Sequence, residues 1–293
     1  MSTPRLFVFG LGYTGGRLAA ELLAEGWRVA GTCQSEERRA ELAARGIEAF
    51  VFDRDHPLDP GALAGATHLL STVPPDNRGD PVLSRHERDL FDLRTLDWVG
   101  YLSTTGVYGD RGGEWVSEAA WLKPSGERQK RRVEAERGWL HLHRQYGVPV
   151  HVFRLPGIYG PGRSALDAVR DGSARRIDRP GHVFSRVHVD DIVQALRASM
   201  ARPSPGSVYN VCDDEPCEPR AVTEFACELL GVTPPPLVPF EQAELSAMAK
   251  SFWADNKRVK NDRMKRDLGV TLRYPTYREG LTAQLEAEKA TAA

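Results

Sequence analysis

Residues 6–19, LFVFGLGYTGGRLA, constrain the fold more than any other stretch of the chain. An apolar run of strand type, Leu6 to Phe9, enters Gly10-x-Gly12-x-x-Gly15. A helical pattern follows at once, with Leu18, Leu22 and Leu23 on one face. This order predicts the opening β–turn–α unit of a parallel sheet. Gly10 permits the tight turn, Gly12 offers no Cβ to obstruct a pyrophosphate, and Gly15 lets helix and strand pack closely. The free N–H groups and positive dipole end of the helix then face an anion. The loop residues Gly10, Gly12, Tyr13, Thr14 and Gly15 are therefore expected to cradle a dinucleotide. A strand-to-helix turn holding no ligand is the plainer alternative; the flanking strand and helix favour the site.

Length and composition narrow the remaining classes. The 293 residues suffice for one large α/β unit or two smaller ones. With 41% hydrophobic and 27% charged residues and a formal net charge of −1, nothing in the charge balance calls for nucleic acid or a membrane surface. No apolar run approaches the roughly 20 residues of a membrane span. The first strand begins within a few residues, with no basic segment followed by an apolar one, so no secretory signal and a cytoplasmic location are expected. Cys33, Cys212, Cys217 and Cys227 form no CxxC pair, and His141 and His143 point to different helix faces, so no metal site is expected.

Strand-type runs alternate with helical ones through the first half. Strands are predicted at 6–10, 28–32, 48–52, 68–72, 98–103 and 150–155, and helices at 15–25, 36–45, 85–96 and 127–146, with a short helix within 59–66. Residues 74–81 read as a loop. Further on, 157–163 and 178–182 carry turn residues and 190–200 reads as a helix. A strand-like stretch at 208–211 precedes a helix at 221–230. Residues 234–239 read as a stiff linker, and 256–268 and 277–288 as polar helices.

Four later segments extend the pattern: YLSTTGVYGD at 101–110, RLPGIYGPG at 154–162, RVHVDDI at 186–192 and VYNVCDD at 208–214. Together with the glycine motif, and in this order, they resemble the extended short-chain dehydrogenases/reductases of the NAD-dependent epimerase/dehydratase family. The resemblance covers roughly residues 5–215. It implies a doubly wound Rossmann-type α/β sheet with a smaller C-terminal lobe for substrate. The Rossmann domain is expected over 1–162, with 186–212 returning to it; 163–185 and 213–293 form the lobe. It also implies a homodimer built through the helices flanking the fifth strand, and a small-molecule substrate such as a nucleotide sugar. Within the family Thr104 falls where a Ser or Thr hydroxyl bonds the reacting oxygen, a place for a neutral donor to a developing alkoxide.

One departure bears on mechanism. The family's acid/base is a Tyr with a Lys four residues later, yet PSGERQKRRVEAE at 124–136 contains no tyrosine. If Ala135-Glu136 fixes the alignment, Arg128 takes the Tyr place and Arg132 the Lys place. A two-residue shift keeps Lys130 at the Lys place but sets Gly126 at the Tyr. The first is preferred, because Val133 then fills the apolar position. Arginine stays protonated and is a poor general base. Substitutes could come from Tyr108, Glu127, Lys130 or His188, each of which also has an ordinary packing or surface role. The short glycine spacing and the missing Tyr together resemble an atypical subgroup described as nucleoside-diphosphate-sugar epimerases.

The second strand ends Gly31-Thr32-Cys33-Gln34-Ser35 without the carboxylate that takes ribose hydroxyls in NAD sites. Thr32, Gln34 and Ser35, with Arg38 and Arg39 following, suit the 2′-phosphate of NADP better than NAD, although the arginines also suit a solvated helix face. Asp53 resembles the family residue at adenine. Ser71, Thr72 and Val73 are expected near the pyrophosphate and ribose, and Pro156, Gly157 and Ile158 beside the nicotinamide. Lys257, Arg258, Lys260, Arg263, Lys265 and Arg266 around Asn261 could offer a basic face for a diphosphate, although such a run, interrupted by Asp262 and Asp267, is more often an ordinary soluble helix surface. The leading expectation is an NAD(P)-dependent epimerase, dehydratase or reductase. Its rivals are an NADP-binding sensor without chemistry and a structural dimer with an empty cleft.

Overall fold

The computed structural model describes residues 3–292. Its main sheet has seven strands: β1 (Arg5–Phe9), β2 (Arg28–Cys33), β3 (Glu48–Val51), β4 (His68–Ser71), β5 (Trp98–Thr104), β6 (Val150–Leu155) and β7 (Val208–Asn210). Their spatial order is β7-β6-β5-β4-β1-β2-β3. The pairs from β3 across to β5 are parallel, with Phe7 opposite both Ala30 and Leu69. The order reverses at β1, flanked by β2 and β4, and ligands of doubly wound sheets bind at the carboxyl ends of strands at such a point.

The elements form for local reasons. All five residues of β1 are buried, as a strand covered on both faces requires. Helix Tyr13–Ala24 turns Leu18, Ala19 and Leu22 inward. Ser35 accepts the Arg38 N–H and so starts helix Glu36–Ala44. Helix Pro81–Asp92 begins four residues before the expected 85, because Asp80 accepts the N–H groups of Val82 and Leu83 and Pro81 sits in the first turn. Helix Glu127–Tyr146 has its expected limits and buries Ala135, Trp139 and Leu142 on a core that includes Phe7, Phe9, Tyr101 and Val152.

Two compact units result. The first contains residues up to Thr104, Glu127–Arg154 and Val193–Tyr209; the second contains Thr105–Gly126, Leu155–Ile192 and the chain from Asn210 on. The expected continuous run 1–162 is thus divided, with 105–126 and 155–162 in the second unit, as are 186–192 and 210–212. The second unit is stitched by short strands that periodicity missed. Gly157–Tyr159, expected as a turn, pairs with Arg186–His188, and Leu237–Pro239, expected as linker, pairs with Arg176–Asp178. The expected helix over 256–268 is instead strand Arg258–Val259, paired with Trp115–Val116, followed by helix Asp262–Leu268. Two- and three-residue strands are too short to show an alternation. No helix among the described residues is long and apolar enough to cross a membrane.

Candidate functional site

In the first unit the glycine turn is held from two sides. Gly10 has φ +89°, the left-handed region, and a Cβ there would lie 2.6 Å from Thr72 Oγ1. Its N–H donates to Thr32 Oγ1 at 2.8 Å, and its carbonyl accepts from Thr72 Oγ1 at 2.7 Å. A Cβ on Gly15 would stand 2.7 Å from the Gly10 carbonyl oxygen and 2.9 Å from Val8 Cγ1, so helix and strand touch there. Gly12 is the contrast: a Cβ on it would meet nothing within 4 Å. Tyr13 and Thr14 open the helix that follows, and Gly12 gives that helix no side-chain cap. The N–H groups of its first turn are the donors an anion seeks.

The other residues expected near a cofactor fall into distinct settings. The hydroxyls of Thr32 and Thr72 bond the Gly10 peptide, so any effect they have on a ligand runs through the turn. Ser71 is fully buried and its Oγ has no hydrogen-bond partner. Val73 packs on the core. Gln34 is exposed and Ser35 is the helix cap. Arg38 pairs with Glu41 at 2.6 Å and Arg39 with Glu36 at 2.5 Å, both along the helix surface. Asp53 accepts from the N–H groups of Asp55 and His56 and meets the His56 ring at 2.9 Å; these bonds lower its pKa.

At the end of β5, Thr104 is half-buried. The residue before it enters a buried network that sequence did not reveal. Ser103 Oγ donates to Glu136 at 2.5 Å, and Arg154 Nη2 donates to the same carboxylate at 2.7 Å. Arg132 Nη1 donates to Tyr101 Oη and to the Leu102 carbonyl, each at 2.9 Å. Burial raises the Tyr101 phenol well above its ordinary value, so it stays neutral. Arg128 lies one turn earlier and is exposed; partial desolvation and then the Arg132 charge draw its pKa down. Lys130 faces solvent with Glu127 at 2.6 Å, and each raises or lowers the other's pKa in the sense of an ion pair.

The second unit holds the remaining candidates. Tyr108 is buried and donates to Asn210 Oδ1 at 2.7 Å, the geometry of a packing residue. Pro156 leads into the short strand Gly157–Tyr159, and Gly157 and Ile158 line a cavity of about 460 Å3 with Arg163, Arg186 and Tyr277. Arg186 Nη1 donates to Cys217 Sγ at 2.8 Å. His188 is buried between the rings of Tyr159 and Tyr274. The expected basic tail is largely neutralised: Lys257 meets Asp255, Lys265 meets Asp214, and Arg263 and Arg266 both meet Asp267.

Sequence reading passed over Asp213. It is 2% exposed, neither carboxylate oxygen has a hydrogen-bond partner, and burial pushes its pKa up to about 8 against the opposing pull of Arg186.

No model of a known protein family matches the chain. Protein YeeZ of Escherichia coli (strain K12) is 28% identical over 288 residues, spanning 92% of this chain and 96% of YeeZ. Among solved structures, a functionally unknown conserved protein from Silicibacter pomeroyi is 48% identical, with a TM-score of 0.89 over 98% of this chain and 100% of that one. The dTDP-glucose 4,6-dehydratase of Bacillus anthracis, solved with NAD, has a TM-score of 0.76 at 17% identity over 99% of this chain and 97% of that one.

Proposed function

We propose, from the premise that this chain belongs to the extended short-chain dehydrogenase/reductase superfamily, NAD-dependent epimerase/dehydratase branch, and to the family of the conserved Silicibacter protein within it, that it is a nicotinamide-dependent enzyme acting on a hydroxyl or carbonyl substrate. The observation that carries this reading is the empty space over Gly12 beside an uncapped helix start. A pyrophosphate placed there takes N–H bonds and the helix dipole without displacing a side chain. The nicotinamide, when bound, supplies or accepts hydride. Thr104 donates a hydrogen bond to the substrate oxygen as it gains charge. Arg132 bonds the Leu102 carbonyl and so fixes the end of β5 on which Thr104 stands. The dehydratase neighbour's name points to nucleotide sugars, and the second unit's own cavity, with Arg163 and Arg186, has the cations a diphosphate needs.

Of the two cofactor forms we favour the one bearing a 2′-phosphate, since no carboxylate stands between Gly31 and Ser35. The pairing of Arg38 and Arg39 with glutamates weakens that preference, and a direct comparison of NADPH and NADH affinities decides it.

A second reading has one observation behind it: Arg128 and Arg132 stand where a titrating Tyr and its Lys are expected. A protein that binds the dinucleotide and does no chemistry fits that loss. Incubating NADPH with carbonyl compounds and nucleotide sugars separates the two. Turnover that falls at least about tenfold in Thr104→Val, with NADPH affinity retained, supports the enzyme. Tight NADPH binding with no oxidation or epimerisation across the panel supports the sensor, and equal turnover in Thr104→Val removes Thr104 from the mechanism.

A further inference from the structure

Two connections leave the sheet of the first unit on either side of the glycine turn. β3 ends at Val51, opposite Cys33 at the end of β2, and the Phe52 N–H donates to the Cys33 carbonyl at 3.0 Å. Asp53 and Arg54 therefore stand at the carboxyl edge, one strand out from Gln34 and Ser35. β4 ends at Ser71, opposite Phe9 at the end of β1, and the Thr72 N–H donates to the Phe9 carbonyl at 2.9 Å. The chain from Val73 on leaves by the same edge, beside the turn whose Gly10 carbonyl Thr72 Oγ1 holds. In the sheet β3 and β4 flank the β1–β2 pair. A bond from one connection to the other thus spans the width of β1 and β2 at their carboxyl ends.

Arg54 makes that bond. It is buried, and its Nε and Nη2 donate to Oδ2 and Oδ1 of Asp76, each at 2.8 Å. Nη2 also donates to the Gly79 carbonyl at 2.8 Å and Nη1 to Ser84 Oγ at 2.7 Å, so four of the five guanidinium N–H donors are engaged. Asp76 and Gly79 exchange backbone N–H bonds at 3.0 and 3.3 Å, closing residues 76–79 into a hairpin. Arg85 Nε donates to the Arg54 carbonyl at 2.6 Å and holds the clamp from its other side. The start of helix Pro81–Asp92 does not need this tie. Asp80 already caps it, and accepts Trp139 Nε1 at 2.9 Å besides. Burying an arginine is costly, and what the cost secures here is the shape of a hairpin at the ligand-binding edge.

We infer that Arg54 is a positioning residue for the adenosine half of the dinucleotide: by clamping Asp76 and Gly79 it sets one wall of the adenine crevice before the cofactor arrives. A pyrophosphate on the helix start at Tyr13 and a ribose at the end of β2 leave the adenine farther out along the same edge, between the connections that the clamp joins. Fixing that wall in advance removes the entropic cost of ordering it on binding. This rests on the reading that the first unit binds a nicotinamide dinucleotide.

The test pairs calorimetry of NADPH and ADP on the full chain with hydrogen exchange at residues 76–79. We expect Arg54→Met to weaken NADPH and ADP alike, at least about tenfold, and to speed exchange at 76–79 in the free protein. Asp76→Asn breaks the same bridge from its more exposed end. It should weaken both ligands at least about threefold, and it carries the test if Arg54→Met does not fold. Arg54→Lys keeps the charge without the fork and should fall between Arg54→Met and the wild type. NADPH affinity within about twofold of wild type in the folded variants overturns the inference. So does lost affinity with exchange at 76–79 unchanged, or a loss for NADPH that ADP does not share. ADP that fails to bind a wild type that binds NADPH overturns it as well. Failure of NADPH itself to bind the wild type overturns the underlying reading, and this inference falls with it.

Discussion

Asp213 shows how far one side chain's setting can depart from its sequence context. In VCDDEP the two aspartates look alike. Asp214 pairs with Lys265 and Asn261, whereas Asp213 is sealed with no hydrogen-bond partner. Nothing in one dimension distinguishes them, because the residue that Asp213 meets through its backbone and whose charge acts on it, Arg186, is distant in sequence. The consequence is a pH dependence of unusual sign. The ordinary value is 3.8 and the folded value about 8, so between those limits the native state binds more protons than the unfolded chain. Stability contributed at this residue therefore falls as pH rises from about 4 through about 8 and is level above. Replacing Asp213 by Asn should raise the urea midpoint relative to wild type more at pH 8.5 than at pH 5.5. An equal offset at both pH values would show that Asp213 ionises normally in the fold.

At the scale of the element, the opening β–turn–α unit was the most legible part of the chain, because each of its three glycines answers to a local requirement. The structure nonetheless divides them into two kinds. Gly15 serves the fold: a Cβ would strike the Gly10 carbonyl at 2.7 Å and lever the helix from β1. Gly12 serves no contact within the protein, and its φ of −83° suits any residue. Gly15→Ala should lower stability by roughly 1–3 kcal/mol, the usual scale of overpacking, and should weaken cofactor affinity with it. Gly12→Ala should leave the denaturation midpoint unmoved while costing at least about tenfold in NADPH affinity, since its methyl group meets only the ligand. Measured side by side, a Gly12→Ala protein that binds NADPH normally would remove the pyrophosphate from this turn. The Ser103–Glu136–Arg154 network was less legible. Glu136 served the sequence only as an alignment mark, and its burial follows from helix Glu127–Tyr146 lying across β5 and β6, a tertiary fact. Breaking such a pair from one side leaves a charge stranded in the core. The short strands of the second unit were missed for the opposite reason, having too few residues to carry a period.

For the molecule as a whole, the order of segments matters more than any one of them. The chain enters the first unit three times, and its last return, Val193–Tyr209, brings most of helix Val189–Ala201 and of β7. That return closes the sheet. Trp98, fully buried at the start of β5, donates its indole N–H to Ser199 at 3.0 Å, and Phe153 of β6 stacks on Tyr209 of β7 at 5.9 Å between centroids. His151, also buried, accepts the Ser204 N–H at Nε2 at 2.9 Å and donates from Nδ1 to the Val99 carbonyl at 3.3 Å. A fragment of residues 1–155 keeps the glycine turn, β1 to β6 and Thr104. It lacks Ser199, Ser204 and Tyr209, and so exposes the Trp98 and Phe153 face and leaves the Trp98 indole N–H and His151 Nε2 without the partners they have in the full chain. The fragment is therefore expected to unfold without a cooperative transition and to gain nothing from NADPH. The full chain should unfold cooperatively and gain about 2.7 kcal/mol at a ligand concentration 100 times its dissociation constant. Thermal unfolding of both proteins, with and without NADPH, makes the comparison. A fragment that melts cooperatively and is stabilised by NADPH to the same extent would show that the glycine turn needs only the strands it was read from, and that the late return of the chain serves something other than the sheet.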